Sequence, residues 1–384
     1  MLVLSACGPK QGGESSTGPI ERTDPDRAIA RERLESATAS LDVTVRRFAL
    51  VSLSELDGQP AGGDWASRGL WDPEPAVQRA VITSLEARLP EAETSARLQE
   101  YVRRDNLSAY ARCAAASVLA RAGDDSTLPA VQAAIARAEA PWVAAPCALA
   151  AAQMGDSDAL LTLQGALEGG ELPLDMGFLD DLGRSGLSAA APALESGLAL
   201  LEDELELAVA AALLELGASS GETILRRALG DNDLVRPFEA IDFLMGADTD
   251  AARALLRRAG GGDVGVAAKL ALIAHGEGEP YFAVESLLSA DREVRALSCR
   301  ALGGWLQSSD ERPRRAERLA REALVQSLYD LEEQVRLEAI RALGTSGQPA
   351  DASALAPLVV QDDGWQSIVA SASLLKLVDA PTGG

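Results

Sequence analysis

Glycines close apolar helical stretches again and again along this chain: Gly123, Gly155, Gly183, Gly217, Gly246, Gly276, Gly303 and Gly344. Seven follow Ala, Met or Leu, and Gly276 follows His275. Successive intervals lie between 27 and 41 residues. A spacing near thirty, sustained over most of the chain, is the mark of a stacked repeat array. The sharpest copy runs from Tyr329 to Gly344. Asp330 and its neighbours form an acidic turn, Val335, Ala339, Ala342 and Leu343 share one helical face, and Gly344 is expected to stop the helix in the left-handed conformation. The same phrase recurs from Asp291 through Val294-Arg295 to Gly303, from Asp231 to Gly246, and from Asp42 through Val45-Arg46.

Behind the stop glycines stand Asp124, Ser126, Asp156, Ser157, Asp248 and Thr249. Their side-chain oxygens suit the unpaired amides of a new first turn. A second apolar-periodic stretch follows, such as 159–167 or 251–258. Each unit is therefore a pair of helices. No sustained period-two run rich in Val, Ile and Thr is present, so the expected class is all-α.

The Asp-x-x-Val-Arg-x-x-Ala-x-x-x-Leu pattern from Asp42 to Leu53, the Val-Arg-to-Leu-Gly stretches at Val294 and Val335, and the early prolines Pro129, Pro192 and Pro357 resemble the HEAT-repeat family. The likeness is greatest to its short form, found in bacterial and phycobilisome-lyase-like proteins. It covers residues 25–380; the units from about 140 to 220 lack Val-Arg. The resemblance implies a right-handed α-α superhelix of about ten to eleven helix pairs, with inner helices lining a concave surface. It also implies that Asp291/Arg295 and Asp330/Arg336 form a ladder, the carboxylate capping a helix and the guanidinium reaching it or its neighbour. With helices ~8–10 Å apart, such a stack would run roughly 100 Å along its curve.

Residues Leu4-Ser5-Ala6-Cys7, followed by Gly8, resemble a bacterial lipobox, in which the cysteine sulfur carries a diacylglycerol. Residues 1–7 then read as a signal remnant, 8–24 as a flexible Gly/Ser-rich tether, 25–380 as the solenoid and 381–384 as a tail. A full leader needs a basic start and ~7–15 apolar residues, so the translation start is expected upstream. Gly8 behind the cysteine resembles outer-membrane sorting. The expected address is the bacterial cell envelope, lipid-anchored at Cys7, on the periplasmic side of the outer membrane.

Net charge is −23, and lysine occurs only at 10, 269 and 376. Phosphate backbones demand clustered cations, so no nucleic-acid partner is expected. One basic run stands out: Arg312, Arg314, Arg315, Arg318 and Arg321 fall in the over-long interval between Gly303 and Gly344, read as an extended outer helix. Arg312, Arg314, Arg315 and Arg318 are candidate contacts for an anionic partner or lipid headgroups, against the plainer reading of a charge-laced exposed helix. Trp71, Trp142 and Trp365 fall at internal turns and are candidate partner anchors, packing against the next unit being the alternative.

Chemistry is sparse. His275 is the single histidine and precedes a glycine stop, so no His-based metal set or hydrolase triad can be assembled beyond it. Asp156/Asp158, Asp231/Asp233 and Asp248/Asp250 lack the glycine and distal glutamate of a calcium loop. Cys113, Cys147 and Cys299 lie in inner helices among Ala and Leu. Cys113 and Cys147 occupy adjacent repeats, which leaves a bridge between them open, but they stand ten and eight residues before their stop glycines, an offset that favours different directions. No cofactor, metal or catalytic residue is expected. The reading is a membrane-anchored, non-catalytic scaffold that binds a protein or peptide. The alternatives are a chromophore-lyase-like protein and a structural envelope spacer.

Overall fold

The computed structural model describes residues 23–56, 64–170, 176–200, 205–231, 235–247, 249–308, 313–346, 348–361 and 364–379. Cys7, the tether, Asp233, Asp248 and Arg312 lie outside them. Among the described residues there is no strand, and helices follow one another in eleven pairs. They begin with α1 (Thr23–Ala37) and α2 (Val43–Glu55), α3 (Trp65–Leu70) and α4 (Pro75–Glu86), and α5 (Ala92–Arg103) and α6 (Ala109–Arg121). Next come α7 (Leu128–Arg137) and α8 (Pro141–Gln153), α9 (Ser157–Glu168) and α10 (Met176–Gly183), and α11 (Ala191–Gly197) and α12 (Glu206–Glu215). The chain continues through α13 (Ser219–Leu229) and α14 (Val235–Gly246), α15 (Asp250–Arg258) and α16 (Gly262–Ala274), and α17 (Tyr281–Ser286) and α18 (Arg292–Ser308). It closes with α19 (Arg314–Ser327) and α20 (Glu333–Thr345), and α21 (Ala352–Val359) and α22 (Trp365–Asp379).

Local chemistry explains the punctuation. Asp42 Oδ1 accepts from the amides of Thr44 and Val45 at 2.8 and 3.3 Å, and Asp156 Oδ1 accepts from Asp158 and Ala159, both at 3.0 Å. Each satisfies orphan donors of a first turn. Gly123, Gly155, Gly217 and Gly276 have φ between 80° and 91°, the left-handed closure expected of them. Gly183, Gly246, Gly303 and Gly344 lack it, and α18 runs on to Ser308 and α20 to Thr345. Gly303 and Gly344 are packing glycines. A Cβ on Gly303 would stand 2.8 Å from that of Ala342, and one on Gly344 2.4 Å from that of Ser373. This also accounts for the over-long interval. Its extra length lies largely in the 17-residue inner helix α18, not in the 14-residue α19. Pro129 and Pro192 sit in the first turns of α7 and α11 as expected, whereas Pro357 sits inside α21.

Even-numbered helices form the inner layer and odd-numbered ones the outer layer, each inner helix packing on the next from α2 to α8 and again from α10 to α22. Each pair buries an apolar stripe, as Val335, Ala339, Ile340 and Leu343 do in α20. A buried leucine of this kind contributes about 2–3 kcal/mol. Small residues let the inner helices approach more closely than the outer ones, and that difference bends the stack.

The bend closes it. Helix α22 packs on both α1 and α2, and α21 packs on α1, as if the first pair followed the last. Phe48 and Trp365 meet edge to face with centroids 4.9 Å apart. Lys376 Nζ lies 2.6 Å from Glu55 Oε2, and the Arg33 guanidinium donates to the Ser367 hydroxyl. One continuous apolar cluster contains Ala30 and Leu34 at one end of the chain and Leu374 and Leu377 at the other. The expected curved stack of ten to eleven helix pairs is present, and its two ends meet to make a ring. The repeat period specifies contact between neighbours but not curvature, which depends on side-chain size at each crossing.

Candidate functional site

Helix α10 interrupts the regular inner layer. It packs on α12 and also touches α6. Phe178, Leu179 and Leu182 are buried in a separate apolar cluster with Ala145, Leu149 and Leu213. Residues Ala111–Leu119 of α6 and Ala144–Ala152 of α8 are consequently buried on every side.

An ion network ties α10 to α4 and α6. The Asp181 side chain is only 7% exposed and lies 2.7 Å from Arg79 Nη2, 3.3 Å from Arg121 Nη1 and 3.5 Å from Arg184 Nη2. Arg79 also donates to the Tyr110 hydroxyl at 2.7 Å and to the Gly177 carbonyl. Arg121 grips Glu86 with both arms of its fork, at 2.6 and 3.0 Å, and Arg184 reaches Glu86 at 2.9 Å and Asp180 at 2.7 Å. Three guanidiniums thus face three carboxylates. Burial pushes the Asp181 carboxyl up, against the pull of all three arginines. Burial also works against the Glu86 carboxylate, but Arg121 and Arg184 outweigh it and hold it below the usual range.

Beside this network, α10, α12 and α14 frame a cleft of about 370 Å³. Leu179, Ala208, Ala212 and Phe243 give it an apolar floor, and Asp180, Glu215 and Asp242 border it. Asp242 is 3.1 Å from Arg300 of α18. Burial raises the Glu215 carboxyl, and Asp180 adds to the rise. No serine, cysteine or histidine lines this cleft. Its lining offers apolar contact for an aliphatic stem, with carboxylates at its border.

A family profile described as HEAT repeats matches residues 283–376. Residues 283–376 are HEAT repeats. No curated protein matches the chain. Among solved structures, it is similar to an engineered protein at 18% identity, with 93% of this chain and 100% of that one covered and a TM-score of 0.28. Human deoxyhypusine hydroxylase in complex with glycerol is also 18% identical, with coverage of 94% and 99% and a TM-score of 0.27. The complex of CpcE and CpcF of phycocyanin lyase from Nostoc sp. PCC7120 gives 18%, 82%, 97% and 0.29. Likenesses this distant carry no argument about activity.

Along the stack the expected ladder is present, and it runs between repeats. Arg46 reaches Asp72 through two bonds of 2.8 and 3.2 Å, and Arg295 reaches Asp330 through two of 2.9 and 3.0 Å. Arg336 ends the series on Gln366 at 3.0 Å. Each arginine also caps carbonyls of its own turn, such as Ser40, Ser289 and Asp330.

The three tryptophans separate. Trp365 is part of the seam against Phe48. Trp71 is partly exposed, stacked under Arg104 at 4.6 Å and set edge-on to Tyr101 at 6.1 Å. Trp142 is more than half exposed at the start of α8. Arg314, Arg315 and Arg318 are exposed on α19, Arg318 lying 3.6 Å from Glu322, while Arg321 turns inward to Asp351 and Glu317. They belong to a charge-laced outer helix and do not join the concave cleft.

The favoured expectation for the cysteines is overturned: Cys113 and Cys147 form a disulfide, with Cα atoms 4.8 Å apart. Counting back from the stop glycines fixes height along each helix. It does not fix how one helix is rotated against the other, and the packing of α8 on α6 supplies that rotation. Cys299 is a buried free thiol, and burial pushes it up to about 12. His275 Nε2 lies 3.2 Å from the Leu244 carbonyl, a bond to the preceding repeat. The cleft residues Asp180, Glu215 and Asp242 were not singled out in the sequence. The signal was present as Phe178-Leu179-Asp180-Asp181-Leu182, an acidic pair inside an apolar stretch, in a region without Val-Arg.

Proposed function

We propose that this chain is a non-catalytic HEAT-repeat scaffold, tethered to the bacterial envelope through Cys7, whose concave cleft holds a basic segment of a protein partner. The carrying observation is the cleft itself, an apolar floor bordered by Asp180, Glu215 and Asp242. A lysine or arginine side chain has the matching form, a long aliphatic stem and a terminal cation. The periplasmic address draws support from the Cys113–Cys147 bond, since disulfides persist in oxidising compartments. The lipobox-like Leu4-Ser5-Ala6-Cys7 supports the anchor.

The test is affinity purification of the full chain from detergent-solubilised membranes, alongside Asp180→Lys/Asp242→Lys. A defined protein should accompany the parent and be lost from the charge-reversed variant. A pigment or small molecule retained by both would replace the scaffold reading with a ligand-handling one. Incorporation of labelled palmitate, abolished by Cys7→Ser, checks the anchor separately.

A further inference from the structure

Because every helix reverses the chain, turns leading from outer to inner helices gather on one rim of the ring. Turns leading from inner to outer helices gather on the other. The two rims differ in chemistry. Of fourteen large apolar side chains exposed among the described residues, eleven sit at the outer-to-inner turns or in the residues beside them. Ile29, Leu161 and Tyr281 are the exceptions. The most prominent members are Leu41 at 98% exposed, Leu331 at 95%, Leu288 at 88% and Tyr329 at 73%. Trp71 and Trp142 lie on the same rim. The opposite rim carries the closures at Gly123, Gly155, Gly217 and Gly276 and the caps Asp156 and Thr249.

We propose that the outer-to-inner rim lies on the surface of a phospholipid bilayer. Four observations favour a bilayer over a protein partner. The apolar groups stand singly at turn tips spread around the ring, whereas a protein interface needs a contiguous patch with a packed centre. Leucines accompanied by Trp and Tyr are the composition that partitions into the headgroup boundary. At three of these turns the acidic group is paired, Asp72 and Asp330 with the ladder arginines and Asp105 with Arg137 at 2.9 Å, which lowers the charge a zwitterionic surface meets there. Finally, α1 begins at the opposite rim and is 15 residues, ~22 Å, long. The fifteen residues at 8–22 can span at most ~50 Å, enough to bring an acylated Cys7 to the apolar rim.

This inference takes its bilayer from the tethered reading but does not need the acyl chain. The test therefore uses the full chain carrying Cys7→Ser, mixed with vesicles of phosphatidylcholine and phosphatidylethanolamine and sedimented. The unacylated protein should bind. Leu288→Glu and Leu331→Glu should each lower binding about tenfold, the scale of one leucine leaving an apolar phase. Leu161→Glu, on the outer face of α9, should leave it unchanged, and circular dichroism should show all three variants folded. No sedimentation of Cys7→Ser, equal loss with Leu161→Glu, or a rim-dependent dimer in solution would overturn the proposal. Failure of palmitate labelling alone would strike the anchor and leave the rim standing.

Discussion

Residues 283–376 and residues 140–220 solve the same stacking problem by different means. In the C-terminal stretch each junction repeats. An arginine near the start of one inner helix reaches the turn before the next, as Arg295 does to Asp330, and small residues such as Gly303 let the helices close up. Among the described residues of the middle stretch no such ladder links successive repeats. A disulfide joins α6 to α8, and the short α10 turns inward to a buried network centred on Asp181. The regular region spreads its polar energy over repeated, separate links between neighbouring repeats. The irregular one concentrates it in a few buried groups, and there the concave face acquires a cleft.

Four measurements would break or sharpen that contrast. The largest effect is expected from Asp181→Ala, which leaves Arg79 without its carboxylate partner in a mostly buried site. Breaking a buried pair costs ~3–5 kcal/mol, read by urea denaturation. Reduction of Cys113–Cys147, which spans 34 residues, should remove ~3–4 kcal/mol under the chain-entropy account, seen as a lower melting temperature in reductant. Asp330→Ala removes a two-armed ion pair and the bond from the Glu332 amide, for ~1–3 kcal/mol. Were it to cost more than Asp181→Ala, the contrast would be reversed.

Asp330 also carries a pH signature. The hydrogen bond from Arg295 holds its carboxyl below the usual range, despite burial. Its stabilisation is therefore complete above the unfolded value of about 4 and disappears as pH falls through the lower folded value. Parent and Asp330→Ala should converge in strong acid. Glu215→Gln gives the smallest change and the opposite sign. Burial raises that carboxyl, so its ionised form weakens the fold at neutral pH. The amide should raise the melting temperature by about 1–3 °C, a gain that fades as pH drops and Glu215 protonates in the parent.

What was legible in the sequence follows the same division. Val335, Ala339 and Leu343 announce a buried helical face, and Asp330 with Arg295 announces the ladder, because spacing along one helix determines both. Gly303 and Gly344 looked like stops because local sequence shows the missing side chain but not the neighbouring helix that requires its absence. The cleft and the disulfide depend on how helices from different repeats turn against each other. No periodicity within one helix contains that information.

The seam carries a mechanical consequence. In an open array a pull on the first helix would peel off a terminal hairpin held by one neighbour. Here α1 is gripped by α2 on one side and by α21 and α22 on the other. A tug arriving through the N-terminal segment is resisted at once by Ser367, bonded to Arg33 across 334 positions of sequence. Tension would thus be shared around the whole circle rather than unzipping it from one end.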